Sequence, residues 1–119
     1  MKLRDIIAIV EGELISKTAN LNLEVPCVTA ADLMSDVLAF AESRSILVTG
    51  LCNPQVVRTA EMADMSGIIF VRGKYPPPET IALAEEKGVP LVATSHPMFE
   101  ICGLLYAAGM RTCDAFCRV

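Results

Sequence analysis

The stretch that decides the fold runs from Ser45 to Ala93, SILVTGLCNPQVVRTAEMADMSGIIFVRGKYPPPETIALAEEKGVPLVA. Three short apolar runs sit in it: Ile46-Leu47-Val48, Ile68-Ile69-Phe70-Val71 and Val89-Pro90-Leu91-Val92. Each is followed by a turn and a segment with helical character. A β-loop-α unit repeated in this way predicts an α/β fold, a single domain with a mostly parallel central sheet and helices packed on it. Ile68–Val71 is continuously apolar, as a strand buried on both faces should be. Asn53-Pro54 reads as an N-cap followed by proline at the first helical position, where its missing N–H costs nothing. The helix Gln55–Met65 then points Val56, Val57, Ala60 and Ala63 inward. Pro76 to Pro78 form a stiff entry to the helix Glu79–Lys87, and Gly88 ends it.

Outward from this centre the signals are weaker. Residues 2–10 read as a short helix with Leu3, Ile6, Ile7 and Val10 on one stripe, stopped by a left-handed Gly12. Residues 13–16 form a short strand, 17–23 a loop, and 24–28 a second strand candidate whose Pro26 restricts it to a sheet edge. Thr29-Ala30-Ala31-Asp32 resembles a helix start, with the threonine as cap and the aspartate in the first turn. The helix that follows carries Leu33, Val37, Leu38 and Ala41 on one face. After the third strand, Thr94-Ser95-His96-Pro97 repeats the pattern of a capping residue and then proline. The last helix, Met98–Ala108, is apolar nearly all round, which suits either deep burial or another subunit. Residues 110–119 form a short C-terminal tail, strand or loose end.

The totals narrow the function classes. The 119 residues suit one domain, 53% hydrophobic and 20% charged, with a net charge of −4. The basic residues are scattered, which argues against a nucleic-acid footprint. No run approaches the ~20 apolar residues of a membrane span. MKLRDIIAIVEG lacks the h-region of a signal peptide, so a cytoplasmic location is expected. Free thiols are expected for Cys27, Cys52, Cys102, Cys113 and Cys117. The C-x3-C spacing of Cys113 and Cys117 matches no common zinc set, so neither metal nor cofactor is expected. Apolar content in excess of what a small core hides points to a homo-oligomer, a dimer.

The β-to-α turns are the candidate ligand site, because ligands of open parallel sheets bind at the carboxyl ends of the strands. There the chain places Thr49, Gly50 and Asn53, then Arg72, Gly73 and Lys74, then Ser95 and His96. Hydroxyls, an amide, two cations, a histidine and backbone donors suit a small anion such as a phosphate. The plainer alternative is that Asn53 and Ser95 only cap helices, while Arg72 and Lys74 are solvated. His96 has no identifiable orienting partner, although Glu100 lies one turn later. No phosphate loop, metal set or catalytic triad is present, so an enzyme is disfavoured.

Ala31-Asp32-Leu33-Met34-Ser35-Asp36-Val37-Leu38, the strand ending in Thr49-Gly50, the run Ile68 to Lys74, Pro78-Glu79-Thr80 and Val89-Pro90-Leu91-Val92 together resemble the DRTGG domain family. The resemblance covers roughly residues 1 to 109. The family's namesake motif is absent, and Val71-Arg72-Gly73-Lys74 is its nearest counterpart. The family is found beside regulatory CBS domains, in phosphate acetyltransferases and pyrophosphatases, and is similar to the N-terminal domain of HPr kinase. Stand-alone members resemble proteins found with iron hydrogenases. The resemblance implies a non-catalytic regulatory module, often dimeric, sensing a nucleotide or other anionic metabolite. The alternative it implies is an interaction or assembly subunit that docks on a redox or metabolic enzyme.

Overall fold

The computed structural model describes residues 1–17 and 19–112. Its elements are α1 (Leu3–Ile9), β1 (Glu13–Leu14), β2 (Val28–Ala30), α2 (Met34–Phe40), β3 (Ile46–Thr49), α3 (Pro54–Met62), β4 (Gly67–Phe70), α4 (Pro78–Lys87), β5 (Leu91–Ala93) and α5 (Met98–Ala107). The five strands form one sheet in the order β1-β5-β4-β3-β2. β2, β3, β4 and β5 are mutually parallel, and β1 closes one edge antiparallel to β5. The mostly parallel α/β architecture expected from the 45–93 stretch is therefore the one observed.

Helices cover both faces, and strand alternation sorts the side chains between them. Ile46, Val48, Ile69, Val71 and Val92 pack with Leu3 and Ile6 of α1 and with Ile101 and Leu105 of α5. Leu47, Ile68, Phe70 and Leu91 point the other way, toward Val37 of α2, Val56, Val57 and Ala60 of α3, and Ala84 of α4. Each central strand thus contributes to two cores, which is why β3 and β4 read as unbroken apolar runs.

The departures from expectation lie at the sheet edges. The second strand is Val28–Ala30 rather than 24–28. Pro26 has no N–H for a ladder, and Glu24 makes only an isolated bridge to Lys2. Thr29 and Ala30 are consequently strand residues, and Thr29 Oγ1 bonds Ser45 Oγ at 3.1 Å instead of capping a helix. The helix starts later, at Met34, with no side-chain cap on its first turn. Only Val37 of its expected inner face is buried, while Leu33 and Leu38 are exposed. At the end of α1 the left-handed residue is Glu11, φ 51°, not Gly12. Glycine is needed at position 12 for space, since a Cβ there would lie 2.6 Å from Val92 Cγ1.

β1 is only two residues long, but side chains extend its grip on β5. Ser16 Oγ accepts from Leu91 N at 2.7 Å and donates to Val89 O at 3.4 Å. Thr94 Oγ1, also buried, donates to Val10 O at 2.8 Å. These hydroxyls satisfy backbone groups at a short edge, where an unpaired buried N–H or C=O would be costly.

Candidate ligand site at the carboxyl ends of the strands

Thr49 ends β3 and its hydroxyl is buried beneath the β3–α3 turn. Thr49 Oγ1 donates to Asp32 Oδ1 at 2.9 Å, and Gly50 N donates to the same oxygen at 2.8 Å. Leu51 N donates back to Thr49 Oγ1 at 3.2 Å. Asn53 then caps α3, its Oδ1 accepting from Val56 N at 3.3 Å, with Pro54 in the first turn as expected. Asp32 was expected in a helical first turn. It instead leaves the end of β2 and braces the neighbouring turn, a role missed because its partners lie 17 and 18 residues away.

The β4–α4 turn brings the cation. Arg72 has φ 60° and Gly73 φ 70°, so both residues are left-handed. For an arginine this conformation costs roughly 1–2 kcal/mol. It is held by Arg72 N donating to His96 O at 2.8 Å and Gly73 N donating to Thr94 O at 3.0 Å. The guanidinium lies over Gly50, where a Cβ would sit 3.0 Å from Arg72 Nη2 and 3.7 Å from Asp32 Oδ1. Among the described residues the Arg72 side chain makes no ion pair or hydrogen bond. A fork that is exposed, fixed at its backbone and unpartnered is suited to a carboxylate or phosphate.

The other expected site residues divide around this turn. Thr49, Gly50, Asn53 and Arg72 belong to one side. Gly73, Lys74 and Ser95 line a cleft of about 350 Å³ on the other, together with Glu11, Glu13 and Tyr75. His96 lies between Glu11 and Glu100, with Nε2 2.7 Å from Glu11 Oε1 and Nδ1 3.8 Å from Glu100 Oε2. Its orienting partners are thus carboxylates, one of which is distant in sequence. Ser95 does not cap α5: Pro97 is the cap position and no side chain bonds there. The backbone donors of Gly50, Leu51, Arg72, Gly73, Lys74 and His96 are also already used within the turns. An anion here would be held by side chains, Arg72 first.

A further cavity, of about 370 Å³, lies at the opposite, amino ends of the strands beside Ser16, Arg44, Asp64 and Ser66. The hydroxyls of Ser16 and Ser66 are committed to backbone partners there, the latter to Arg44 O. Its chemistry is therefore that of a stitched loop junction. Among the described residues no group of three or more His, Cys, Asp and Glu side chains is arranged to hold a metal. No helix among them is long and apolar enough to cross a membrane. Cys52 and Cys102 are free, as expected, but Cys27 is disulfide-bonded, which corrects the expectation of free thiols at that position. Cys113 and Cys117 lie outside the described residues. Burial pushes the Cys102 thiol up, which keeps it protonated at neutral pH and a poor nucleophile.

An open, mostly parallel sheet with helices on both faces and its β-to-α turns gathered at the carboxyl edge defines an α/β domain. The chain belongs to the DRTGG domain family, whose model matches residues 5–108. A solved structure with the same fold contains the CBS and DRTGG domains of the regulatory region of the Clostridium perfringens pyrophosphatase, complexed with its activator diadenosine tetraphosphate. It superposes with a TM-score of 0.74 at 19% identity, over 95% of this chain and 51% of that one. The chain thus spans about half the length of that neighbour. No curated protein matches the sequence.

Proposed function

We propose that this domain is a non-catalytic regulatory module that binds a nucleotide or related anionic metabolite at the Arg72 turn. The observation that carries the reading is the Arg72 guanidinium, which lies over Gly50 from a left-handed turn and has no partner among the described residues. Strained residues of this kind cluster where ligands bind, because the strain persists only when the surroundings enforce it. Membership of a family that includes a nucleotide-activated regulatory region supports the same reading. The raised Cys102 thiol, a poor nucleophile, favours binding over cysteine-based catalysis.

The test is a thermal-shift titration with nucleoside mono-, di- and triphosphates and inorganic pyrophosphate. A ligand at about a hundred times its dissociation constant adds about 2.7 kcal/mol to stability. Arg72→Ala should weaken binding roughly 10- to 100-fold, the scale of a charge-assisted bidentate contact. Its ligand-free melting curve should stay near the wild type, because the exposed guanidinium carries no core packing. Affinity should also fall as salt rises. Unchanged affinity in Arg72→Ala would refute the assignment.

Self-association accompanies this reading, in a cytoplasmic setting. Phe99 and Tyr106 stand 90% and 61% exposed on α5, with the small Gly103 between them. An apolar stripe of this kind supports a homodimer built on α5. The same surface would serve the second reading, an assembly subunit that docks on a redox or metabolic enzyme.

A further inference from the structure

The Arg72 guanidinium and the Asp32 carboxylate both border the space above Gly50, yet they do not form an ion pair within 4.0 Å. Opposite charges this close would ordinarily collapse onto one another on an exposed surface. Here each is held by its own constraint. Asp32 Oδ1 is fixed by Thr49 Oγ1 and Gly50 N. The Arg72 backbone is held by its N–H donating to His96 O, which sets where its side chain leaves the turn. Gly50, lacking a Cβ, leaves the gap between them open. Asp32 Oδ2 takes no hydrogen bond among the described residues, although a carboxylate has about four acceptor sites in all.

This juxtaposition restricts the ligand. An anion with no hydroxyl hydrogen, such as sulfate, seated on Arg72 would meet the Asp32 carboxylate beside it as a repulsion. A ligand that carries a hydroxyl donor next to its anionic group converts that repulsion into a hydrogen bond. We propose that Asp32 is a specificity residue whose free Oδ2 accepts from a sugar hydroxyl of the ligand whose phosphate Arg72 holds. The ligand class is then a sugar phosphate unit, as in a nucleotide, rather than an anion that lacks a hydroxyl donor, such as sulfate. This inference rests on the anion-binding reading given above and adds the second contact.

Asp32→Asn is the discriminating variant. The asparagine Oδ1 can still accept from Thr49 and Gly50, so the turn keeps its brace, while the open oxygen becomes an amide donor. Calorimetric titration of the full chain with ribose 5-phosphate, adenosine monophosphate, sulfate and dimethyl phosphate reads the result. The expected outcome is a loss of about tenfold or more for the two sugar phosphates, on the scale of hydrogen bonds to charged groups. Sulfate and dimethyl phosphate should bind as well as before or more tightly, because a negative charge has gone. Opposite signs for the two probe classes cannot arise from a merely loosened turn. Equal changes for all four probes, or unchanged sugar-phosphate affinity, would overturn the assignment of Asp32 while leaving Arg72 as the anion contact. Binding of a free amino acid in place of sugar phosphates would overturn it too, since an ammonium would then occupy the Asp32 position. If Arg72→Ala keeps every affinity, or no probe binds, both readings fall together.

Discussion

Phe70→Ala is expected to lower unfolding stability by about 3–5 kcal/mol, the usual cost of emptying a buried phenylalanine site. Phe70 is fully buried at the end of β4, the central strand of the sheet. It pairs with Thr49 on one side and Ala93 on the other. Its ring belongs to the core shared with Leu47, Val56, Val57 and Leu91, so several elements would have to move to fill the void. Against a typical total of about 5–15 kcal/mol, this is a large fraction of the stability. Thermal unfolding followed by circular dichroism should show a fall in Tm on the order of 10–20 °C. Phe70→Leu, which keeps most of the volume, should lose far less. A Phe70→Ala loss below about 1 kcal/mol would contradict so tightly packed a site.

Phe99→Asp should convert a dimer to a monomer without unfolding it. Phe99 is 90% exposed in the first turn of α5, and burial in the core cannot explain a phenylalanine there. Tyr106 lies two turns later, with the Arg111 guanidinium 3.7 Å from its ring centroid. Nothing lies within 4 Å of the Cβ position of Gly103, so a second helix can approach closely at that point. An antiparallel pairing of α5 with its copy about Gly103 would set Glu100 of one helix beside Tyr106 and Arg111 of the other. Apolar and charged groups would then match by two-fold symmetry, as an isologous contact requires. Sedimentation velocity at micromolar concentration should give a dimer for the wild type and a monomer for the variant. The far-UV spectrum and melting behaviour of the variant monomer should indicate a folded domain. A wild type that sediments as a monomer, or a variant that stays dimeric, would remove α5 as the interface.

The interior of this fold is more legible in sequence than its borders. β3 and β4 could be found because burial on both faces leaves them continuously apolar, and α3 because Asn53-Pro54 marks its start. β2 could not be placed, because three residues at an edge, two half-buried and one exposed, carry little hydrophobic signal. Thr29 chemically suits a cap as well as a strand, and only its position beside Ser45 decides. The site follows the same division. The strand ends could be located from the β-to-α pattern, and with them Thr49, Gly50 and Arg72. The role of Asp32 could not, since it depends on register between β2 and β3 rather than on any local motif. Nor does an arginine announce a left-handed φ: Gly73 hints at a turn, but the bonds that hold Arg72 come from the loop after β5.

Those same bonds have a thermodynamic corollary. Arg72 N and Gly73 N are tied to His96 O and Thr94 O, and His96 immediately precedes the cap of α5. The Arg72 turn and the start of α5 are therefore one mechanical unit. A ligand that shifts the turn would shift the helix proposed to meet its copy. Linkage makes the exchange reciprocal: a ligand that changes the association constant by some factor has its own affinity changed by that factor on association. Titrations at protein concentrations above and below the dimer dissociation constant would measure that factor from both directions, and a value of one would mean that the two surfaces operate independently.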